Sequence, residues 1–340
     1  MNPLFIFTVS FLASFLVMPL LKRVAFRFNI LDFPGGRKVH TGAIPLLGGL
    51  GIYLGLSSGL IFALGLRPVF LPLFIGATAI LALGIASDIL KLTAGRRLLL
   101  QSLISLAMIF MGVRVSFLPT GFWGDLGEIM VTLIWLVGVT NAYNYLDGLD
   151  GLAAGSAIIN FACYAFILFS TGQYALGALG LILIAACLGF LPYNFKEKKI
   201  FLGEGGSTFL GFTLAGIALI GNWAEDNTVR LFIPILILGV PIFDMIFTTI
   251  MRIKEKKVKT FLEWLRYGGR DHFHHYLVDL GFHSKGATSF IYFITLSLGI
   301  SAIMVSNDLA VEAYLTLTQA AIIFGIIATL IVVGKRFRSG

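Results

Sequence analysis

A chain of 340 residues with 58% hydrophobic and 12% charged side chains, and a mean hydropathy of +0.94, cannot be a soluble domain, because such domains carry about 25% charged residues. The formal charge of +8 comes without a nucleic-acid-binding module. It is read as basic loops meeting anionic lipid headgroups. The two cysteines, Cys163 and Cys187, both fall inside apolar runs. That excludes a disulfide framework and a cysteine-based metal site and leaves core packing. The class is an all-α, polytopic membrane protein.

Eleven apolar stretches are long enough to predict membrane-spanning helices, with 10–11 as the working range: 3–21, 45–65, 69–87, 98–113, 128–146, 156–171, 174–192, 205–222, 229–250, 288–305 and 311–333. Several are shorter than the ~20 residues that a bilayer asks of a helix. The first, with no basic region before it and no small-residue cleavage site after it, is expected to stay as a helix. The connecting segments 22–44, 88–97, 147–155, 193–204, 251–287 and 334–340 hold 5, 3, 0, 3, 8 and 3 Lys or Arg residues. Only Arg67, Arg114 and Arg230 lie on the other side. The positive-inside rule therefore puts these six segments in the cytoplasm, with the N-terminus outside and the C-terminus inside. All five histidines and Asp88, Asp147, Asp150, Glu204, Asp244 and Asp271 fall on the cytoplasmic side as well.

In chain order, the first loop places Arg37, Lys38 and His40 between glycine-rich turns, a diphosphate clamp or simply a basic cytoplasmic loop. An arginine fork and a lysine point charge suit a diphosphate. Gly48 and Gly49 open the second span and allow close helix approach. Asp88 ends the third span, and Lys91, Arg96 and Arg97 follow it, an arrangement suited to metal and phosphate.

The stretch that organises the chain is Asn141-Ala-Tyr-Asn144-Tyr-Leu-Asp147-Gly-Leu-Asp150-Gly151. At helical spacing, residues three apart share a face, so Asn141, Asn144, Asp147 and Asp150 are expected to form one polar stripe. Lone polar groups there would be costly to bury. Further on, Glu204 sits among Gly203, Gly205 and Gly206 at a helix start, where free backbone N–H groups can meet phosphate oxygens. Asp244, in Pro241-Ile-Phe-Asp244, is an ionisable residue within a span. It is either functional or a partner for Arg252 or Lys254. The longest loop begins basic and continues through Phe261, Leu262, Trp264 and Leu265, an amphipathic piece suited to headgroups. It then reads Arg270-Asp271-His272-Phe-His274-His275. The absence of nearby cysteines and of H-E-x-x-H order argues against zinc.

Together, the pattern N-x-x-N-x-x-D-G-x-D-G-L at 141–152, R-K-x-H at 37–40, the acid at 88, F-x-G-E-x-G-S at 201–207, P-x-x-D at 241–244 and R-x-H-x-H-H at 270–275 resembles the polyprenyl-phosphate N-acetylhexosamine-1-phosphate transferases, relatives of the phospho-MurNAc-pentapeptide translocase. The motifs occur in the family's order and cover most of the chain, from Arg37 to Gly281, so 1–340 is expected to be a single integral-membrane transferase domain. Three positions depart from the family's pattern: Ser87, Glu204 and Gly269 stand where aspartates are usual.

The resemblance implies transfer of a sugar 1-phosphate, GlcNAc-1-phosphate above others, from a UDP-N-acetylhexosamine to undecaprenyl phosphate, with release of UMP. It implies Mg²⁺, with Mn²⁺ as a substitute, held by Asp147, Asp150 and Glu204. Asp88, Asp147 and Asp150 would be the catalytic acids. Arg37, Lys38, His40, Asn141, Asn144, Arg270, His272, His274 and His275 would bind substrate. The setting is the bacterial inner membrane, with membrane lipids and a homodimer as further partners. A polytopic transporter and a catalytically weak homologue that binds lipid phosphate or nucleotide without turnover stay open as alternatives. UMP release separates them from the enzyme.

Overall fold

The computed structural model describes residues 2–34, 42–65, 67–195, 200–306 and 310–339. All eleven predicted apolar stretches are helical, and they fall on twelve of the fourteen α-helices among the described residues. Helix α1 (Pro3–Arg27) leads to a two-residue antiparallel pair, β1 (Leu31–Asp32) with β2 (Ile44–Pro45). Then follow α2 (Gly48–Ser58), which runs on as a π-turn over Gly59–Leu64, then α3 (Leu71–Leu90), α4 (Ala94–Phe110), α5 (Phe122–Leu146), α6 (Leu152–Ser170), α7 (Tyr174–Asn194) and α8 (Gly203–Ile220). The chain closes with α9 (Asn227–Ile237), α10 (Gly239–Lys254), α11 (Phe261–Arg266), α12 (Phe273–Asp279), α13 (Ser284–Val305) and α14 (Ala310–Ser339).

Eight helices among the described residues are long and apolar enough to cross a bilayer: α1, α3 with its preceding turn, α5, α6, α7, α8, α13 and α14. The stretch expected as one span at 229–250 is instead two helices, α9 and α10, bent by 74°. The sequence gives the reason. Pro241 has no N–H to offer the carbonyl of Ile237, and Pro234 and Gly239 flank the break. Helix α2 is a shorter apolar helix. Helix α4 has 17 residues and begins with Arg96 and Arg97 in its first turns.

Helix α8 is the centre. Almost every residue from Gly205 to Ala218 is buried, and it packs against α3, α5 and α2. Glycine makes this closeness possible. A Cβ on Gly84 of α3 would lie 2.3 Å from Gly205 Cα, and one on Gly49 of α2 would lie 2.1 Å from Gly206 Cα. Close backbone approach through small residues is how helices associate in lipid, where no hydrophobic gain separates helix from acyl chain. The outward faces of α1 and α14 carry Leu4, Leu16, Ile322, Ile326 and Leu330, all exposed, as lipid-facing positions would be. Cys163 and Cys187 are free and buried, in keeping with core packing.

Candidate active site

One group of polar residues, Arg114 with Asp125 and Glu128, lies at the start of α5, and a larger one meets at the opposite end of the helices. At that end α3 and α5 finish, α8 begins, and the loop between α11 and α12 folds back over them.

Helix α5 ends at Leu146, so the expected four-residue stripe does not form. Asp147 is the cap, and Gly151 adopts φ +73°, a left-handed turn that starts α6. Glycine tolerates that conformation without the Cβ penalty. Asn141 and Asn144 therefore sit on the last turns of α5, and Asp147 and Asp150 lie in the turn beyond. The two amides are already committed to neighbouring helices. Asn141 Nδ2 donates to Gln101 Oε1 of α4 at 2.8 Å, and Asn144 Oδ1 accepts from Ser207 Oγ of α8 at 2.7 Å. The turn itself is pinned by Asn194, whose Oδ1 accepts the Gly151 N–H at 2.7 Å.

Ser87 of α3 is buried, and its Oγ donates to Glu204 Oε2 at 2.7 Å. The other carboxylate oxygen of Glu204 is ion-paired with Arg97 Nη1 of α4. Asp88 Oδ2 lies at the start of α8, 3.4 Å from the Gly205 N–H. The loop that carries the first motif is tied to the same place, because Phe201 N–H donates to Pro45 O at 2.7 Å and Gly48 N–H to Phe201 O at 2.9 Å. Arg37, Lys38 and His40 themselves lie outside the described residues.

The histidine loop is held from α10. Asp244 is fully buried and accepts the Phe273 N–H at 2.7 Å and the Thr248 hydroxyl at 3.1 Å. Its Oδ2 lies 3.2 Å from His272 Nδ1. Arg252 does not pair with Asp244. It grips Asp271 through two bonds, Nε to Oδ2 at 3.0 Å and Nη2 to Oδ1 at 2.8 Å. Burial pushes the Asp271 carboxyl up, but the hydrogen bonds and charge of Arg252 outweigh it and hold the group below its usual range. Arg252 Nη2 also lies 3.3 Å from His272 Nε2. A guanidinium only donates, so Nε2 accepts and the ring proton belongs on Nδ1, toward Asp244.

His272 stacks on Tyr145 of α5, with ring centroids 4.8 Å apart. His274 is buried against Gly148, where a Cβ would stand 1.9 Å from its Nε2. Neither ring nitrogen of His274 has a hydrogen-bond partner among the described residues. Burial, reinforced by the His275 charge, lowers its pKa to about 3, so the imidazole is neutral. An unpartnered buried imidazole calls for an explanation, and a ligand at the turn 147–151 supplies one. His275 is half-buried, and its pKa is lowered by burial and then by Arg270, which is exposed.

Among the described residues, no three His, Cys, Asp or Glu side chains are gathered as ligands of one ion. The carboxylates nonetheless crowd one another. The Asp147 pKa is raised from 3.8 to about 7, first by burial and then by the charges of Asp88 and Asp150. A divalent cation relieves that kind of repulsion, and carboxylate oxygens are the donors Mg²⁺ takes. The donor chemistry of Asp88, Asp147 and Asp150 thus fits a hard cation. Glu204 differs, since both of its oxygens are engaged by Ser87 and Arg97.

Sequence reasoning assigned no role to Arg97, Gln101, Tyr145 or Asn194, and left Ser87 only as a departure. Arg97 carried a signal, as one of three cations close after Asp88, but nothing in the sequence separates it from Lys91 and Arg96. Tyr145, between Asn144 and Leu146, lies inside the motif itself.

This is the architecture of a polytopic membrane enzyme with an acid-rich, histidine-capped site at one end of its helices. Residues 70–222 match the model of glycosyl transferase family 4. The chain is 35% identical over 308 residues to the Probable undecaprenyl-phosphate N-acetylglucosaminyl 1-phosphate transferase of Bacillus subtilis (strain 168), covering 88% of this chain and 84% of that protein. It is 29% identical to the Undecaprenyl-phosphate alpha-N-acetylglucosaminyl 1-phosphate transferase of Escherichia coli (strain K12), over 84% of this chain and 77% of that protein. It is also 29% identical to the Decaprenyl-phosphate N-acetylglucosaminephosphotransferase of Mycolicibacterium smegmatis (strain ATCC 700084 / mc(2)155), over 93% and 85%. The chain belongs to the polyprenyl-phosphate N-acetylhexosamine-1-phosphate transferases of glycosyl transferase family 4.

Proposed function

We infer that this protein transfers N-acetylglucosamine 1-phosphate from UDP-GlcNAc to undecaprenyl phosphate, releasing UMP. The relatives' names support the sugar phosphate and the polyprenyl acceptor. The observation that carries the reading is the convergence of the Asp147–Asp150 turn, Asp88, Glu204 and the histidine loop at one end of the helices. Their charge pattern, with basic loops at the same end, supports a cytoplasmic site in a bacterial inner membrane. UDP-sugars would reach it there.

An oxygen of the lipid phosphate attacks the β-phosphorus that carries the sugar. The bond from that phosphorus to the bridging oxygen breaks, and UMP leaves with that oxygen. Such transfers depend on alignment and charge neutralisation more than on a strong base. The acceptor is a monoester with a second pKa near 6, so it reaches the site largely dianionic. Mg²⁺, held by Asp147 and Asp150 with Asp88, would neutralise the diphosphate; Mn²⁺ would fit the same oxygens. Glu204 would join this set once Arg97 turns from it to a phosphate oxygen of the donor. His274 offers its unpaired ring nitrogen to the substrate beside Gly148. His272, fixed by Asp244 and Arg252, and the exposed Arg270 bind the remaining anionic oxygens, and Arg37, Lys38 and His40 would add to that charge. Asn141 and Asn144 brace α5 against α4 and α8 and so set the turn's position.

The test is UMP release by the purified protein in detergent with undecaprenyl phosphate and UDP-GlcNAc, with Mg²⁺ added or chelated. Mg²⁺-dependent UMP together with a lipid-linked GlcNAc product is the expected result. No UMP from any UDP-N-acetylhexosamine would overturn the reading.

A further inference from the structure

We propose that residues 253–266, the last turn of α10 with α11, form a membrane-surface anchor that gathers anionic lipid headgroups beside the mouth of the site, and so concentrates the lipid phosphate that the site consumes. Only that last step rests on the transferase reading above; the anchor's place at the bilayer surface stands apart from it.

Three helices set its level. Along α10, Ile246, Ile250 and Ile253 are exposed, and their helical spacing puts them on one outward face. Along α4, Leu99, Leu103 and Phe110 do the same. Such faces meet acyl chains without cost, since lipid tails are as apolar as the side chains. Helix α11 lies across the site ends of both helices. Trp264 Nε1 donates to Thr249 Oγ1 of α10 at 3.0 Å. Leu265 faces the first turn of α4, where a Cβ on Gly95 would stand 3.9 Å from Leu265 Cδ2. A segment strapped across the ends of two lipid-facing helices lies where acyl chains give way to headgroups.

What the segment turns outward suits that level. Thr260 Oγ1 accepts the Glu263 N–H at 3.2 Å, and Glu263 Oε2 accepts the Lys259 N–H at 2.7 Å. This reciprocal cap fixes the start of α11. Phe261 and Leu262 then stand 64% and 60% exposed. Between 254 and 266 five cations face two acids, and both acids are engaged: Glu255 binds Lys257 Nζ at 2.6 Å, and Glu263 closes the cap. Lys254, Lys256, Lys259 and Arg266 are exposed, and no carboxylate pairs with them among the described residues. An apolar tip with a cationic rim binds an anionic bilayer through both burial and attraction. Because the apolar faces of α4 and α10 run up to the same place, the partner is the bilayer and not a soluble acidic protein. The anchor also adjoins the site's framework. The hydroxyl of Thr248, next to Thr249, lies 3.1 Å from both Asp244 Oδ1 and Asp271 O. Gly95 stands two residues before Arg97, the partner of Glu204. Lipid drawn to the anchor therefore arrives beside the histidine loop and the start of α8, and a focused local concentration of substrate lowers KM without touching the chemistry.

The test uses the full chain reconstituted in phosphatidylcholine vesicles. First, an environment-sensitive fluorophore is attached to Leu262→Cys, the native Cys163 and Cys187 being buried. Quenching by brominated acyl chains, with protection from aqueous iodide, is expected. The reverse would overturn the anchor and leave this face to a soluble partner. Second, kcat and KM for UMP release are measured for the combined Lys254→Gln, Lys256→Gln and Lys259→Gln variant. With roughly fivefold per cation near the surface, KM for undecaprenyl phosphate should rise at least about tenfold, while kcat and KM for UDP-GlcNAc stay within about twofold of the wild type. Added phosphatidylglycerol should compete for the wild-type surface and raise its KM for undecaprenyl phosphate, yet leave the variant unchanged, and high salt should erase the difference between the two proteins. An unchanged KM in the variant, or a fall in kcat in its place, would refute the gathering of lipid. A lipid-quenched label with no UMP from the wild type would keep the anchor and refute the transferase reading instead.

Discussion

Asp244 is the single group through which α10 sets the histidine loop, and Asp244→Asn isolates that role. The substitution keeps size and keeps an acceptor for the Phe273 N–H, now 2.7 Å away. It replaces Oδ2, 3.2 Å from His272 Nδ1, by an NH₂ group. Because Arg252 obliges His272 to carry its proton on Nδ1, a donor would then face a donor. Losing a charge-assisted contact costs about 1.5–3 kcal/mol. His272 would turn away, giving up its stack on Tyr145 and shifting His274 at Gly148. Expressed in the transition state, that is a roughly 10- to 150-fold fall in kcat/KM. The assay is UMP release alongside thermal unfolding. Asp244→Asn should fold, melt a few degrees lower and lose this activity, whereas Asp244→Ala should melt lower still, since the buried Phe273 N–H loses its acceptor. Wild-type kcat/KM in a folded Asp244→Asn protein would refute the claim that Asp244 orients His272.

Other outcomes follow from the same contacts. Gly148→Ala puts a methyl 1.9 Å from His274 Nε2; it should reduce UMP release by at least about tenfold through a displaced imidazole, with little loss of unfolding temperature. Arg252→Met leaves the buried Asp271 carboxylate without its two-pronged cationic partner and should destabilise the fold by about 3–5 kcal/mol, seen in thermal unfolding. The His274 pKa is lowered to about 3 in the folded protein from 6.5. The unfolded chain therefore binds the extra proton, and the contribution is complete above pH 6.5 and is lost as pH falls toward 3. His274→Gln should flatten that acid slope, whose limit is about 1.4 kcal/mol per pH unit. Asp147 runs the other way, with a folded pKa of about 7 against 3.8, so the folded protein holds its proton longer and stability drops as pH rises from about 4 through 7. Asp147→Asn should raise the unfolding temperature of metal-free protein at pH 8 while abolishing UMP release.

Helix positions and the family were legible because their signals are local, hydropathy run lengths and short spacings, whereas of the eleven expected spans eight helices among the described residues, or nine with the bent pair, are long and apolar enough to cross a bilayer. The bend at Leu238 was visible only as prolines inside an apolar run, and the run's length outweighed them. The polar stripe from Asn141 to Asp150 failed because three-residue spacing predicts a common face only while the helix lasts, and Gly148 and Gly151 end it. The spacing marks Asn141 and Asn144 as polar positions near the turn, and only the fold shows that Asn141 Nδ2 donates to Gln101 and Asn144 Oδ1 accepts from Ser207. The sequence offers Arg252 or Lys254 as a structural partner for Asp244, whereas in the fold Asp244 Oδ2 lies 3.2 Å from His272 Nδ1 and Arg252 pairs with Asp271. His272 and Arg252 both lie within helical or loop reach in sequence, and only the direction of α10 after the bend decides between them.

The helix ends explain why these residue types sit where they do. Helix α8 presents its N-terminus, with free N–H groups and positive dipole, toward Asp88; α3 and α5 present their C-termini, with outward carbonyls and negative dipole. Acids gathered at the negative ends of α3 and α5 repel more strongly than they would in a loop, which suits a cation bound there. The α8 start, Gly203 to Gly206, favours an anion, and in this structure Asp88 meets it, its Oδ2 facing the Gly205 N–H. Glu204 stands at that positive end and is neutralised by Arg97 until an incoming phosphate competes for the same guanidinium. On this account donor binding and release of Glu204 are one exchange of partners. Arg97→Gln should then raise KM for UDP-GlcNAc by about tenfold or more, while Lys91→Gln, at the exposed end of α3, should leave it within about twofold.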